Sequence, residues 1–218
     1  MTDKKKILNL KGAFMSIAIL LRNQQTPNVV LNLLLNAVQI PDINQIIICS
    51  GFFQENFNNS TYCASTEGNL AQQLAASKAE VITVGIHNAQ WRFSFDEFNN
   101  SLTTAGVNLA ARKISGYKWH AKVFIASTRN GPVFSLIGSS NMTRNAFSTS
   151  RPFNYEADVA LWVPQAKGVS SAVNNILSES SPSDVIRTSY SPNRNGGLTI
   201  RTRLTQLRND ILNTPEAS

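Results

Sequence analysis

The chain has 218 residues, 42% hydrophobic and 15% charged, a balance that predicts one ordinary globular domain with a substantial core and excludes a disordered chain. Its net charge of +7 points toward an anionic partner, and its two cysteines, Cys49 and Cys63, are too few for a disulfide framework and are expected to be structural thiols. The longest apolar run, Ala13 to Leu21, is broken by Ser16, is too short to span a bilayer and lacks a secretory cleavage signal despite Lys4, Lys5 and Lys6, so a cytoplasmic protein is expected.

In chain order, helix and strand patterns alternate. Pro27 to Val38 carries Val30, Leu31, Leu34, Leu35 and Val38 at helical spacing, with Thr26 as expected N-cap. Gln45 to Ser50 is expected to be a buried strand ended by Gly51, Glu67 to Ser77 a helix, and Glu80 to Gly85 a strand. Ser94 to Thr104 is expected to be helical and Val107 to Ile114 extended. His120 to Ala126 and Val133 to Ile137 form a predicted hairpin, with Asn130-Gly131 as its turn signal. Asn141 to Ala146 opens a short helix. Glu156 to Val163 alternates Ala157, Val159, Leu161 and Val163 against Asp158, Ala160 and Trp162, as in a half-buried strand. Ala166 to Leu177 is a helix, Ser178 to Gly197 a loop-rich connection, and Leu198 to Leu212 a charged amphipathic helix. The sum is an α/β protein, a mixed β-sheet flanked by helices on both faces. A single domain over 1–218 is expected, with its core at about 27–178 and a basic C-terminal helix at 198–212.

The charge is unevenly spread. Between Glu97 and Glu156 there is no acidic residue, while Arg112, Lys113, Lys118, Lys122, Arg129, Arg144 and Arg151 lie in that gap. Arg187, Arg194, Arg201, Arg203 and Arg208 form a second basic cluster. An acid-free basic tract of this length is the footprint of a polyanion-binding surface.

Within that tract His120 and Lys122 are two residues apart, so on a strand both side chains share one face. The next predicted strand runs into Gly138-Ser139-Ser140-Asn141. An imidazole, a fixed cation and an amide converging on one area suit a phosphate diester with its charged oxygens. Each residue alone has an ordinary structural explanation: a core histidine, a surface lysine, a helix-capping asparagine, and Glu156 paired with Arg151. The joint pattern is what points to chemistry.

His120-Ala121-Lys122, Gly138-Ser139-Ser140-Asn141 and the downstream Asn154-Tyr155-Glu156 resemble the signature of the phospholipase D superfamily. Ile47-Ile48-Cys49-Ser50-Gly51-Phe52 resembles an early strand and turn of the same fold, so the likeness touches most of residues 45 to 163. The resemblance implies His120 as a nucleophile giving a phosphohistidine intermediate. Lys122 and Asn141 would then lie on the nonbridging oxygens, with Glu156 on the other imidazole nitrogen. Ser139, Ser140, Lys118 and Arg144 are the further phosphate-binding candidates. No metal or other cofactor is implied. One position departs: after four intervening residues beyond Lys122, where the family often has Asp, this chain has Ser127. That favours a nuclease branch resembling restriction endonucleases over a phospholipase.

The implied mechanism needs a second histidine, to protonate the leaving oxygen and then activate water. His87 is the only other one and lacks a lysine at the matching place, so it is expected to be structural. Similar one-motif relatives share one site between two protomers, which predicts a homodimer. The leading expectation is thus a metal-independent DNA endonuclease, with RNA as a second substrate and no membrane partner. A phospholipase or phosphatidyl transferase, and a catalytically inactive nucleic-acid-binding module, are the alternatives. Phe52, Phe53 and Phe57, the one candidate membrane patch, are expected to be core.

Overall fold

Residues 15–24, 27–87, 91–115, 122–149, 152–181 and 183–217 are described by the computed structural model. Eight strands form one mixed sheet: β1 (Met15–Arg22), β2 (Gln45–Ser50), β3 (Glu80–His87), β4 (Leu109–Ser115), β5 (Lys122–Thr128), β6 (Gly131–Gly138), β7 (Glu156–Trp162) and β8 (Val185–Ser189). Their order across the sheet is β4-β3-β2-β5-β6-β7-β1-β8. Strands β2, β3 and β4 pair in parallel and the other pairs are antiparallel. Helices α1 (Val29–Val38), α2 (Leu70–Ser77), α3 (Arg92–Thr104), the one-turn α4 (Arg144–Phe147), α5 (Lys167–Glu179) and α6 (Ile200–Asn213) connect them.

The central strands are buried on both faces, which is why Ile46-Ile47-Ile48-Cys49 and Val123 to Ala126 are continuous apolar runs rather than alternating ones. Ile46, Ile48, Phe124, Phe134 and Trp162 face the larger core together with α1, α2, α3 and α5. Ile47, Ile82, Val123 and Ile125 face the other way, under Ile211 and Leu207 of α6, and Ile200 and Leu204 extend that layer over Val163. Helices therefore cover both faces of a mixed sheet.

Several boundaries differ from the expected ones. Helix α1 is capped by Asn28, whose Oδ1 accepts the Leu31 N–H at 3.1 Å; Thr26 lies outside the described residues. The segment 64–69 is a kinked 3-10 stretch, because Gly68 adopts φ +55° before α2 begins. Strand β8 lies inside the expected loop; only Val185 of its five residues is buried, so no alternation marks it. The apolar run at 15–22 is strand β1, with polar Ser16 and Arg22 turned inward at its ends while Met15 and Leu21 are exposed. On β7 the buried set is Asp158, Ala160 and Trp162, the half of the alternation with a carboxylate in it.

Strand ends bring the motif residues together. Lys122 opens β5 opposite Gly138, the last residue of β6, and Gly138 in turn lies opposite Asp158 of β7. Glu156 opens β7 opposite Arg22, the last residue of β1. Ser50 ends β2, and Cys49 beside it pairs with Val123. All of these lie at one end of the sheet. His87 closes β3 at the same end, since Ser50 pairs with Gly85 two residues earlier.

Candidate active site

Asn141 is held by its acceptor. Its Oδ1 takes the Phe52 N–H at 3.2 Å and lies 3.1 Å from the Ser50 hydroxyl. A backbone N–H can only donate, so this bond fixes which amide atom points inward. Among the described residues the two Asn141 Nδ2 hydrogens meet no acceptor, which suits them to an incoming anion. The Ser50 hydroxyl also accepts the Met142 N–H at 3.2 Å, and Gln54 N–H donates to the Met142 carbonyl at 2.8 Å, so the turn after β6 is stitched to the turn after β2.

The serines of the motif serve their carboxylates. Ser139 Oγ donates to Glu156 Oε2 and accepts the Ala157 N–H at 3.0 Å. Ser140 gives its hydroxyl to Asp158 Oδ2 at 2.6 Å and its backbone N–H to Oδ1 at 3.2 Å. Both hydroxyls are thus engaged in shaping the turn. Gly138 is required by this packing: a β-carbon there would run into the Asp158 carboxylate and lie 2.6 Å from the Ala157 carbonyl oxygen.

Lys122 is buried at 9% exposure on the floor of the site. Burial lowers its pKa from the ordinary lysine value, and the Glu156 carboxylate opposes that shift. Asp158, 3% exposed, has its carboxyl pushed above the usual range by burial, against the two hydrogen bonds from Ser140. The two ionisable groups flank Gly138, with Glu156 half-buried two residues along β7.

The segment 144–148 is clamped from below. Arg22, nearly buried on β1, donates to the carbonyls of Asn145 (3.1 Å), Ala146 (2.6 Å) and Ser148 (2.7 Å). Its guanidinium lies 5.6 Å from the centre of the Phe153 ring. Asn28 adds Nδ2 bonds to the Ala146 and Phe147 carbonyls at 3.3 and 2.9 Å. Burial lowers the Arg22 pKa, with Glu156 the largest opposing influence.

Of the residues singled out in the sequence, Lys122, Ser139, Ser140, Asn141 and Glu156 gather at this end of the sheet. His120 and Lys118 lie outside the described residues, as does Arg151; His120 is joined to Lys122 through a single residue. Arg144, three residues beyond Asn141, is exposed and donates its backbone N–H to Gln54 Oε1 at 2.9 Å. Ser127 sits at the far end of β5, about 17 Å from Lys122 at strand spacing, paired with Gln45 and Pro132. The missing Asp therefore removes nothing from the site. Ser50, Asp158 and Arg22 were not singled out; the small turn Ser50-Gly51 and the glycine before Ser139 were the available signals. Among the described residues no group of three or more His, Cys, Asp or Glu is arranged to hold a metal ion. Among the same residues no helix is long and apolar enough to cross a membrane.

No protein-family model matches the sequence, and no curated protein matches it. Solved structures similar to this chain include Nuc from Salmonella typhimurium, a phospholipase D family member, at 18% identity and a TM-score of 0.43, covering 81% of this chain and 99% of that one. NucT from Helicobacter pylori is similar at 14% identity and a TM-score of 0.44, with the same coverage. Yeast tyrosyl-DNA phosphodiesterase is similar at 14% identity and a TM-score of 0.35, over 55% of this chain and 26% of that one.

Proposed function

We propose that the protein is a phosphodiesterase that hydrolyses nucleic acid, foremost DNA, without a metal, through a histidine-linked intermediate. The observation that carries this reading is the amide of Asn141, locked by Phe52 with its donors outward at the strand end that also holds Lys122. A preorganised donor and a buried cation together suit the nonbridging oxygens of a phosphate diester. Of the cations in the acid-free tract, Lys122 and Arg144 lie at this end of the sheet, while Arg112 and Lys113 are paired with Glu216 and Asp96 and Arg129 lies in the turn at the far end. The net charge of +7 is what draws a polyanion to the protein.

In this reading His120 attacks phosphorus, the P–N bond forms as the P–O bond to the leaving group breaks, and a second imidazole gives the leaving oxygen its proton. That imidazole then takes a proton from water, whose oxygen displaces His120. Lys122 and Asn141 hold the charge in both steps, and Glu156 supports the imidazolium. The second imidazole comes from His120 of a second protomer. The odd-numbered face of β1, with Ile17, Ile19 and Leu21 beside Val159 and Ile186, supplies apolar surface for such a copy.

The test is to trap the intermediate. A single turnover on phosphate-labelled oligonucleotide, quenched in alkali, is expected to leave acid-labile, base-stable label on the protein, and His120→Ala to leave none. Label that survives in His120→Ala overturns the nucleophile. Sedimentation is expected to give a dimer; a fully active monomer overturns the shared site and directs attention to His87. Headgroup release from vesicles without cleavage of DNA or RNA moves the activity to lipid.

A further inference from the structure

Aromatic rings flank the candidate site on both sides. Phe52 follows β2 and is tied by its own N–H to Asn141, yet its ring stays half-exposed. Phe57 and Trp91 brace that ring at 4.9 and 5.5 Å between centroids. Phe93, two residues beyond Trp91 in the first turn of α3, is 61% exposed. Across the site, Tyr155 directly precedes Glu156 and is 79% exposed. Its ring is propped at 5.6 Å by Phe153, which is itself set over the Arg22 guanidinium. Phe53, between Phe52 and the core, is buried as expected; Phe52 and Phe57 are not fully so.

Rings braced by other rings keep their orientation, so exposing them costs no ordering when a flat ligand arrives. β2 and β7 are separated by β5 and β6, so the two aromatic groups rise about 14 Å apart at ordinary strand spacing, with Lys122 and Asn141 between them. That is a phosphate slot with a stacking surface on each side. In a duplex the faces of the bases are covered by their neighbours and only edges are offered in the grooves. An unpaired strand offers a face at every nucleotide. A lipid surface fits less well: among the described residues the exposed aliphatic side chains are Met15, Leu21 and Ile186, and of these only Leu21, opposite Ala157 on β7, lies near either aromatic group.

We infer that the substrate is single-stranded nucleic acid, bound with one base against the Phe52 group and another against Tyr155 while the phosphate between them sits at Lys122 and Asn141. This rests on the phosphodiester reading of the site and names the form of its substrate.

The test is a rapid-mixing binding measurement, read before turnover, with a labelled single-stranded oligonucleotide, its duplex, an abasic strand of equal length, and phosphatidylglycerol vesicles. The single strand is expected to bind about tenfold or more tighter than the abasic strand, and tighter than the duplex. Tyr155→Ala is expected to bring the single strand down toward the abasic affinity while leaving abasic binding unchanged, and Tyr155→Phe to restore it. Equal affinity for single strand and abasic strand overturns the inference, as does a duplex bound as tightly, an unaffected Tyr155→Ala, or Tyr155-dependent vesicle binding. Absence of cleavage with the stacking pattern intact would instead overturn the hydrolytic reading alone.

Discussion

The Phe52 N–H and the Asn141 side-chain carbonyl meet at 3.2 Å, and this one bond orients the amide of the candidate site. Asn141→Asp keeps the acceptor and deletes the donors, putting a carboxylate where an anion must bind. Turnover of a phosphodiester substrate is expected to fall about 100-fold or more, as on loss of an oxyanion donor, with thermal stability changed little. Retained turnover, measured against wild type at saturating enzyme, would show that the amide does not touch the phosphate.

Lys122 trades stability for charge. Burial opposes its protonated form, so replacing it with the neutral Lys122→Met is expected to hold or raise the melting temperature while turnover is lost. Because its pKa is lowered, the alkaline fall in wild-type activity is expected to begin below the usual lysine range. A pH–rate profile alongside thermal unfolding reads both. A variant that is destabilised and still active would contradict the assignment.

Asp158 is the buried acid of the site. Unfolded, it ionises near 4; folded, burial delays ionisation, so stability is lost as pH rises from there through the folded value. Asp158→Asn keeps an oxygen for the Ser140 N–H and removes the charge. Its stability relative to wild type is expected to improve from acid to neutral pH, and a difference flat with pH would sink this. Asp158→Ala strands the Ser140 N–H and should cost about 1–3 kcal/mol.

Arg22 is expected to hold the fold of the site rather than its chemistry. Arg22→Ala removes three bonds to the carbonyls of residues 145, 146 and 148 and should cost about 2–4 kcal/mol, read by denaturant unfolding. An unchanged midpoint would show the clamp to be dispensable.

The central elements were legible because their signals are local: three isoleucines in a row, Asn130-Gly131 at a hairpin, and a motif whose members lie near the ends of adjacent strands. Asn141 was legible as the residue just past a predicted strand, and Glu156 only through the resemblance carried by Asn154-Tyr155-Glu156. Asp158 was not, because its burial depends on β1, β6 and β7 meeting in one register; by pattern alone its half of β7 is the polar one. Arg22 was hidden likewise, since the carbonyls it serves are more than 120 residues away. Ser127 drew attention through the motif, and only the length of β5 shows that it stands apart from the site.

The most direct measurement is cleavage of a single-stranded circular DNA in EDTA by the wild-type chain and by His120→Ala. Chelator-resistant cleavage by the wild type that is lost in the variant is the predicted result. Cleavage that needs an added divalent ion, or that persists in His120→Ala, would contradict the account.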